Sequence, residues 1–186
     1  ATKRSPAADS ERENGCMSGY LQGFSEFIQA SPSSFHAAAE SARQLAAAGW
    51  THTSIGAASL PDRGYVLRDG AIVAWQRAAG AFGAPLRIIG THTDSPGFVL
   101  KPGGSFSRFG YQQVGVEVYG GPILASWLDR ELEVAGRIVD RHGREHLVRS
   151  GPALRIPHLA IHLDREVNAA LTLDKQRLAS PTAQRL

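Results

Sequence analysis

The chain is poor in several things, and each shortage narrows what it can be. It has one cysteine, Cys16, in 186 residues, which rules out an internal disulfide framework and suits a reducing compartment, so a cytoplasmic setting is expected. No apolar run approaches the roughly 20 residues that a membrane-spanning helix requires. The longest, such as Leu159-Ala160-Ile161, meet polar residues within a few positions. Residues 1–14 lack the apolar centre of a secretory signal. Charge of one sign is also scarce: 20 Lys and Arg against 17 Asp and Glu leave a net charge of +3. The densest basic group, Arg137, Arg141, Arg144 and Arg149, alternates with Glu133, Asp140 and Glu145. That is the pattern of a solvated strand face and not of a phosphate track, so neither nucleic acid nor a membrane is an expected partner.

What is present reads as a globular α/β chain, 42% hydrophobic and 20% charged. Residues 1–19 are polar and unpatterned and are expected to form a disordered extension, with Met17 a natural start. Leu21, Phe24, Phe27 and Ile28 recur at helical spacing. Ser31-Pro32-Ser33-Ser34 then breaks the helix and caps the next one, predicted over Phe35 to Ala48 with Gly49 ending it and Trp50 packing back. Tyr65-Val66-Leu67 and Ala71 to Trp75 flank an Asp69-Gly70 turn and predict a hairpin. Leu86-Arg87-Ile88-Ile89 predicts a short buried strand running into a His-Thr-Asp loop. Beyond it, residues 98–100, 113–119, 133–139 and 145–148 are β-like, and 169–173 could pair as one more strand. The expected organisation is the start of an α/β sheet domain over residues 20–100, followed by a β-rich part over 101–186.

The chemistry concentrates in Gly90-Thr91-His92-Thr93-Asp94-Ser95-Pro96. In an extended segment His92 and Asp94 fall on one side, with Thr91 and Thr93 on the other. A metal-bound histidine needs its second ring nitrogen held by an acceptor, commonly a carboxylate, and Asp94 is placed to serve. Ser95-Pro96 stiffens the exit, because the residue before proline is held extended. A His-x-Asp pair by itself is shared with many histidines that bind nothing. Asp129 and Glu131, also two apart, carry a weaker version of the same signal.

Five blocks go further: Ser31 to Ala37; Gly90 to Pro96; Gln112-Gln113-Val114-Gly115-Val116-Glu117-Val118-Tyr119-Gly120-Gly121; Trp127 to Leu132 with Ala135-Gly136-Arg137; and Leu154-Arg155-Ile156-Pro157-His158-Leu159-Ala160-Ile161-His162. In this order and spacing they resemble the N-terminal part of the aspartyl aminopeptidase family, cytosolic metallopeptidases with two zinc ions per active site. The resemblance spans roughly Tyr20 to Val167. It implies that His92 is a zinc ligand and Asp94 the catalytic-site acid that orients it. It implies that His162 reaches the active site of a neighbouring subunit, either binding zinc or holding the substrate's side-chain carboxylate. His158 is expected to be structural, and Asp129-Arg130 to form an ion pair or fix a turn. The β-rich part would be a portion of an inserted dimerisation domain, so a homo-oligomer is implied, acting on peptides with an acidic (Asp or Glu) N-terminal residue. The family's other ligands, among them an adjacent Glu-Glu pair, have no match in these residues. The chain alone is therefore expected to be inactive. Two rival readings are a non-catalytic oligomerisation module and a metal-binding protein using His92, His162 and His142 or His146.

Overall fold

The computed structural model describes residues 19–77, 83 and 85–174, together with the backbone of 182–183. The fold is mixed α/β with small sheets, and the chain divides into two compact units between Asp94 and Ser95. The expected extension lies outside the described residues except for Gly19, which is already helical.

In the first unit, helix α1 covers residues 19–30 and α2 covers Ser34–Ala47. Ser33 caps α2 with an extended backbone (φ −145°), and its hydroxyl accepts from the His36 N–H. At the other end the N–H of Gly49 donates to Ala46 O and that of Trp50 to Leu45 O, each at 3.0 Å, with Gly49 at φ 83°. This paired closure satisfies carbonyls that the helix leaves open and ties Trp50 back to the last turn. Strands β1 (Thr51–His52), β2 (Arg63–Arg68) and β3 (Ala71–Gln76) form a sheet in that order, β1 parallel to β2 and β2 antiparallel to β3. Arg68 pairs with Ala71, so Asp69-Gly70 is a two-residue turn, and the positive φ (52°) falls on Asp69. Helix α2 packs on this sheet, burying Ala37, Ala38 and Ala42, and Tyr65 is buried from the strand side. Alanine lets the helix lie close, but three methyl groups and one ring make a small core.

The second unit is a five-stranded sheet in the order β4-β5-β8-β7-β6, with β4 Gly97–Arg108, β5 Tyr111–Tyr119, β6 Leu132–Val139, β7 Glu145–Arg155 and β8 Thr182–Ala183. Register jumps between Leu100↔Val116 and Ser105↔Val114, so Lys101-Pro102-Gly103-Gly104 bulges opposite Gly115. The bulge lets β4 run past Pro102, which has no N–H for a regular ladder. Val116, Leu154 and Ile156 are the buried apolar side chains here.

Two expectations are corrected. Leu86 to Ile89 form no strand: the backbone of 85–90 is irregular, and Leu86, Ile88 and Ile89 are 87%, 84% and 95% exposed. A strand exists only through its ladder partners, and no described residue pairs with this run. Residues 169–173 are not a strand either. The Glu166 carbonyl accepts from both Ala169 N–H and Ala170 N–H, committing the backbone to a turn, and the added strand comes instead from Thr182–Ala183.

Candidate functional site

The His-Thr-Asp loop is placed by a contact far away in sequence. The Thr93 hydroxyl donates to the carbonyl of Gly70 at 2.6 Å, pinning the loop to the β2–β3 turn. The same turn meets the start of α2. A Cβ at Gly70 would lie 2.7 Å from Ser34 Oγ and 3.0 Å from Ser34 Cβ, so glycine is what permits that approach. Two of the sequence blocks, 31–37 and 90–96, therefore converge on one hairpin turn.

With Thr93 turned toward Gly70, His92 and Asp94 come together. His92 Nδ1 lies 2.6 Å from the Asp94 backbone oxygen and 3.4 Å from Asp94 Oδ1. A carbonyl oxygen only accepts, so Nδ1 carries the hydrogen, and in the neutral ring Nε2 keeps the lone pair. The His92 side chain is 75% exposed, and that of Asp94 47%. The arrangement suits one coordination position of a metal site: an open imidazole nitrogen, its tautomer set from behind. It does not make a whole site. Zinc takes four or more ligands, and among the described residues no group of three or more His, Cys, Asp or Glu side chains is gathered so as to hold a metal.

The remaining candidates lie in the second unit. His162 is exposed and sits in a turn closed by Leu163 N–H to Ala160 O at 2.8 Å. His142 lies in the β6–β7 connection and His146 on β7, paired with Ile138. Arg141 Nε donates to His142 Nε2 (3.2 Å), and His146 Nε2 is 3.2 Å from Asp140 Oδ2. Asp140 Oδ1 accepts from the backbone N–H groups of His142 and Arg144. The Arg144 N–H, then the His146 ring, then the His142 N–H hold the Asp140 carboxyl below its ordinary range. Asp129 pairs with His158, its Oδ2 3.7 Å from Nδ1, and its Oδ1 accepts from the His158 N–H at 3.0 Å.

Sequence reasoning missed Thr93 and Gly70, which are 23 residues apart and carry no shared period. It also missed that a backbone carbonyl, nearer than the carboxylate, sets the His92 ring.

Comparison with known proteins defines the class first: residues 27–184 match a family described as aminopeptidase I zinc metalloprotease. The chain belongs to this family, peptidase M18. It is 46% identical over 175 residues to the "Probable M18 family aminopeptidase 2" of Streptomyces coelicolor, covering 88% of this chain and 39% of that protein. The protein of the same name from Mycobacterium leprae is 43% identical over 162 residues, covering 82% and 38%. The chain thus spans about two-fifths of the length of these curated relatives. Among solved structures, the cryo-EM structure of the Ape4 and Nbr1 complex matches with a TM-score of 0.77 at 35% identity, covering 87% of this chain and 33% of that one. The S. cerevisiae mApe1 dodecamer matches at 0.67 and 25% identity, covering 89% and 38%. An M18 aminopeptidase from Thermotoga maritima matches at 0.78 and 22% identity, a likeness of fold alone, covering 98% and 42%.

Proposed function

We propose that the chain is the N-terminal part of a zinc-dependent aminopeptidase that releases acidic residues, Asp or Glu, from the N-terminus of peptides in the cytoplasm. The observation that carries it is the His92 ring, held through Nδ1 by Asp94 while its side chain is largely exposed, within a chain of the M18 family. Bound there, two zinc ions would polarise the scissile carbonyl and acidify a water. His92 supplies one coordination bond, and Asp94 fixes the ring's tautomer and direction. The general base and most ligands come from residues that these 186 do not include, so this chain on its own turns over no substrate.

The second unit, in this reading, is part of the subunit-contact domain. Its exposed Val99, Leu100, Tyr119, Ile138, Val139 and Leu147, distributed over both faces of their strands, support contact with another copy. His162, displayed on an exposed turn, reaches the neighbouring subunit's site and holds the substrate's first side-chain carboxylate. Of the two rival readings, the same exposed side chains favour the oligomerisation module with no metal function.

Calorimetric titration with zinc separates the two. The proposal expects weak saturable uptake that His92→Ala reduces, and no release of aspartate from an Asp-peptide. Absence of any His92-dependent uptake would favour the module. Turnover abolished by His92→Ala would overturn the claim of inactivity.

A further inference from the structure

The segment that displays His162 has little to hold it. After Ile156 the backbone leaves the sheet, and residues 157–160 belong to no regular element. Leu159, Ile161 and Leu163 are 59%, 43% and 74% exposed, so burial does not fix them. Pro157 has no N–H to offer. The two backbone groups flanking it are the Ile156 carbonyl and the His158 N–H, and one residue takes both. Asp129 N–H donates to Ile156 O at 2.9 Å, and Asp129 Oδ1 accepts from His158 N–H at 3.0 Å. Leu128 bridges Ile156 in parallel alongside, and Ile156 itself is 4% exposed. To make both bonds Asp129 adopts φ 55°, a left-handed conformation that Asp tolerates better than most residues but that still costs energy.

The geometry points to Asp129 as the positioning residue for His162, clamping the chain on both sides of Pro157 so that the turn four residues on is presented in one place. The inference rests on the role proposed above for His162. It also joins two sequence blocks, Trp127 to Leu132 and Leu154 to His162, whose association the spacing did not reveal. Among the described residues, the turn at Ala160, which accepts from Leu163 N–H and Asp164 N–H, shapes the tip without anchoring it to the sheet. Losing Asp129 therefore frees the tip and leaves the sheet intact.

The test is nuclear magnetic resonance on the 186-residue chain with two variants. Asp129→Gly removes the carboxylate but welcomes a positive φ, so the unit folds. Asp129→Asn keeps a side-chain oxygen that accepts from His158 and also tolerates the backbone. Amide exchange at His158 is expected to rise about tenfold or more in Asp129→Gly, with backbone order at His162 falling, while β6 and β7 amides stay protected. Asp129→Asn is expected to restore both readouts to near wild type. Unchanged His158 exchange in Asp129→Gly, or His162 order indifferent to it, overturns the inference. Loss of both readouts in Asp129→Asn does so too, because the clamp needs an acceptor and not a charge. None of these readouts depends on substrate, so their failure is distinct from a failure of the role assigned to His162.

Discussion

Thr93 and Gly70, 23 residues apart, meet through a hydroxyl-to-carbonyl hydrogen bond of 2.6 Å. It ties the loop that carries His92 to the hairpin of the first unit's sheet. A typical hydrogen bond of this kind contributes about 1 kcal/mol net. Thr93→Val keeps the shape and removes the donor. The expected result is little change in global melting but faster proteolytic nicking around residues 91–95, with Thr93→Ser close to wild type. Equal cleavage rates in Thr93→Val and wild type would show that the loop is held by something else.

Glu40 gives α2 a pH dependence that can be read in isolation. Arg43 donates to it at 2.7 and 2.6 Å and Gln44 at 2.9 Å. The hydrogen bonds from Arg43, then that from Gln44, bring its carboxyl down to about 2 from an ordinary 4.5. Because the folded value is the lower one, the contribution is complete above the ordinary value and is lost as pH falls from 4.5 toward about 2. Arg43 is 67% exposed, so solvent screening keeps the effect small. Helix content followed by circular dichroism across that window should fall less steeply in Glu40→Gln than in wild type. Parallel curves for the two proteins would remove Glu40 from the account.

How far the sequence could be read depended on whether an element is closed by its neighbours in the chain. Helix α2 was legible because Ser33, the alanines and Gly49 are all local signals, and its boundaries moved by one residue. The β2–β3 hairpin was legible through Asp69-Gly70 for the same reason. Leu86 to Ile89 has the composition of a buried strand, yet it is the most exposed apolar run described, because a strand's partners are not encoded in the strand. The site divides the same way. His92 and Asp94 share a side through simple alternation. Thr93 to Gly70 and Asp129 to His158 are long-range and had no local trace.

The β6–β7 connection offers a cleaner test of a single carboxylate. Asp140 takes the N–H groups of His142 and Arg144 on one oxygen and faces His146 with the other. With its carboxyl held below the usual range, the loop keeps this support above that range and loses it as pH falls through the depressed value. Asp140→Ala should raise amide exchange at His142 and Arg144 at neutral pH, whereas Asp140→Asn, which retains an acceptor, should not. A loop equally protected in Asp140→Ala would mean that Gly143 (φ 77°) and its N–H to Asp140 O at 2.9 Å suffice.

The sharpest consequence of the proposed function concerns His162 in an enzyme that carries the remaining ligands. An imidazole that holds the substrate's side-chain carboxylate stabilises an acidic first residue and does nothing for alanine. One that binds zinc matters for every substrate. His162→Ala is therefore expected to lower kcat/KM for an N-terminal Asp peptide by about tenfold to a hundredfold, in line with one charge-assisted hydrogen bond. The same change should leave an N-terminal Ala peptide and the zinc content near wild type. His162→Gln, which retains a donor but with a different reach, should fall between. Loss of zinc in His162→Ala, or an equal fall for both peptides, would move His162 from the substrate to the metal.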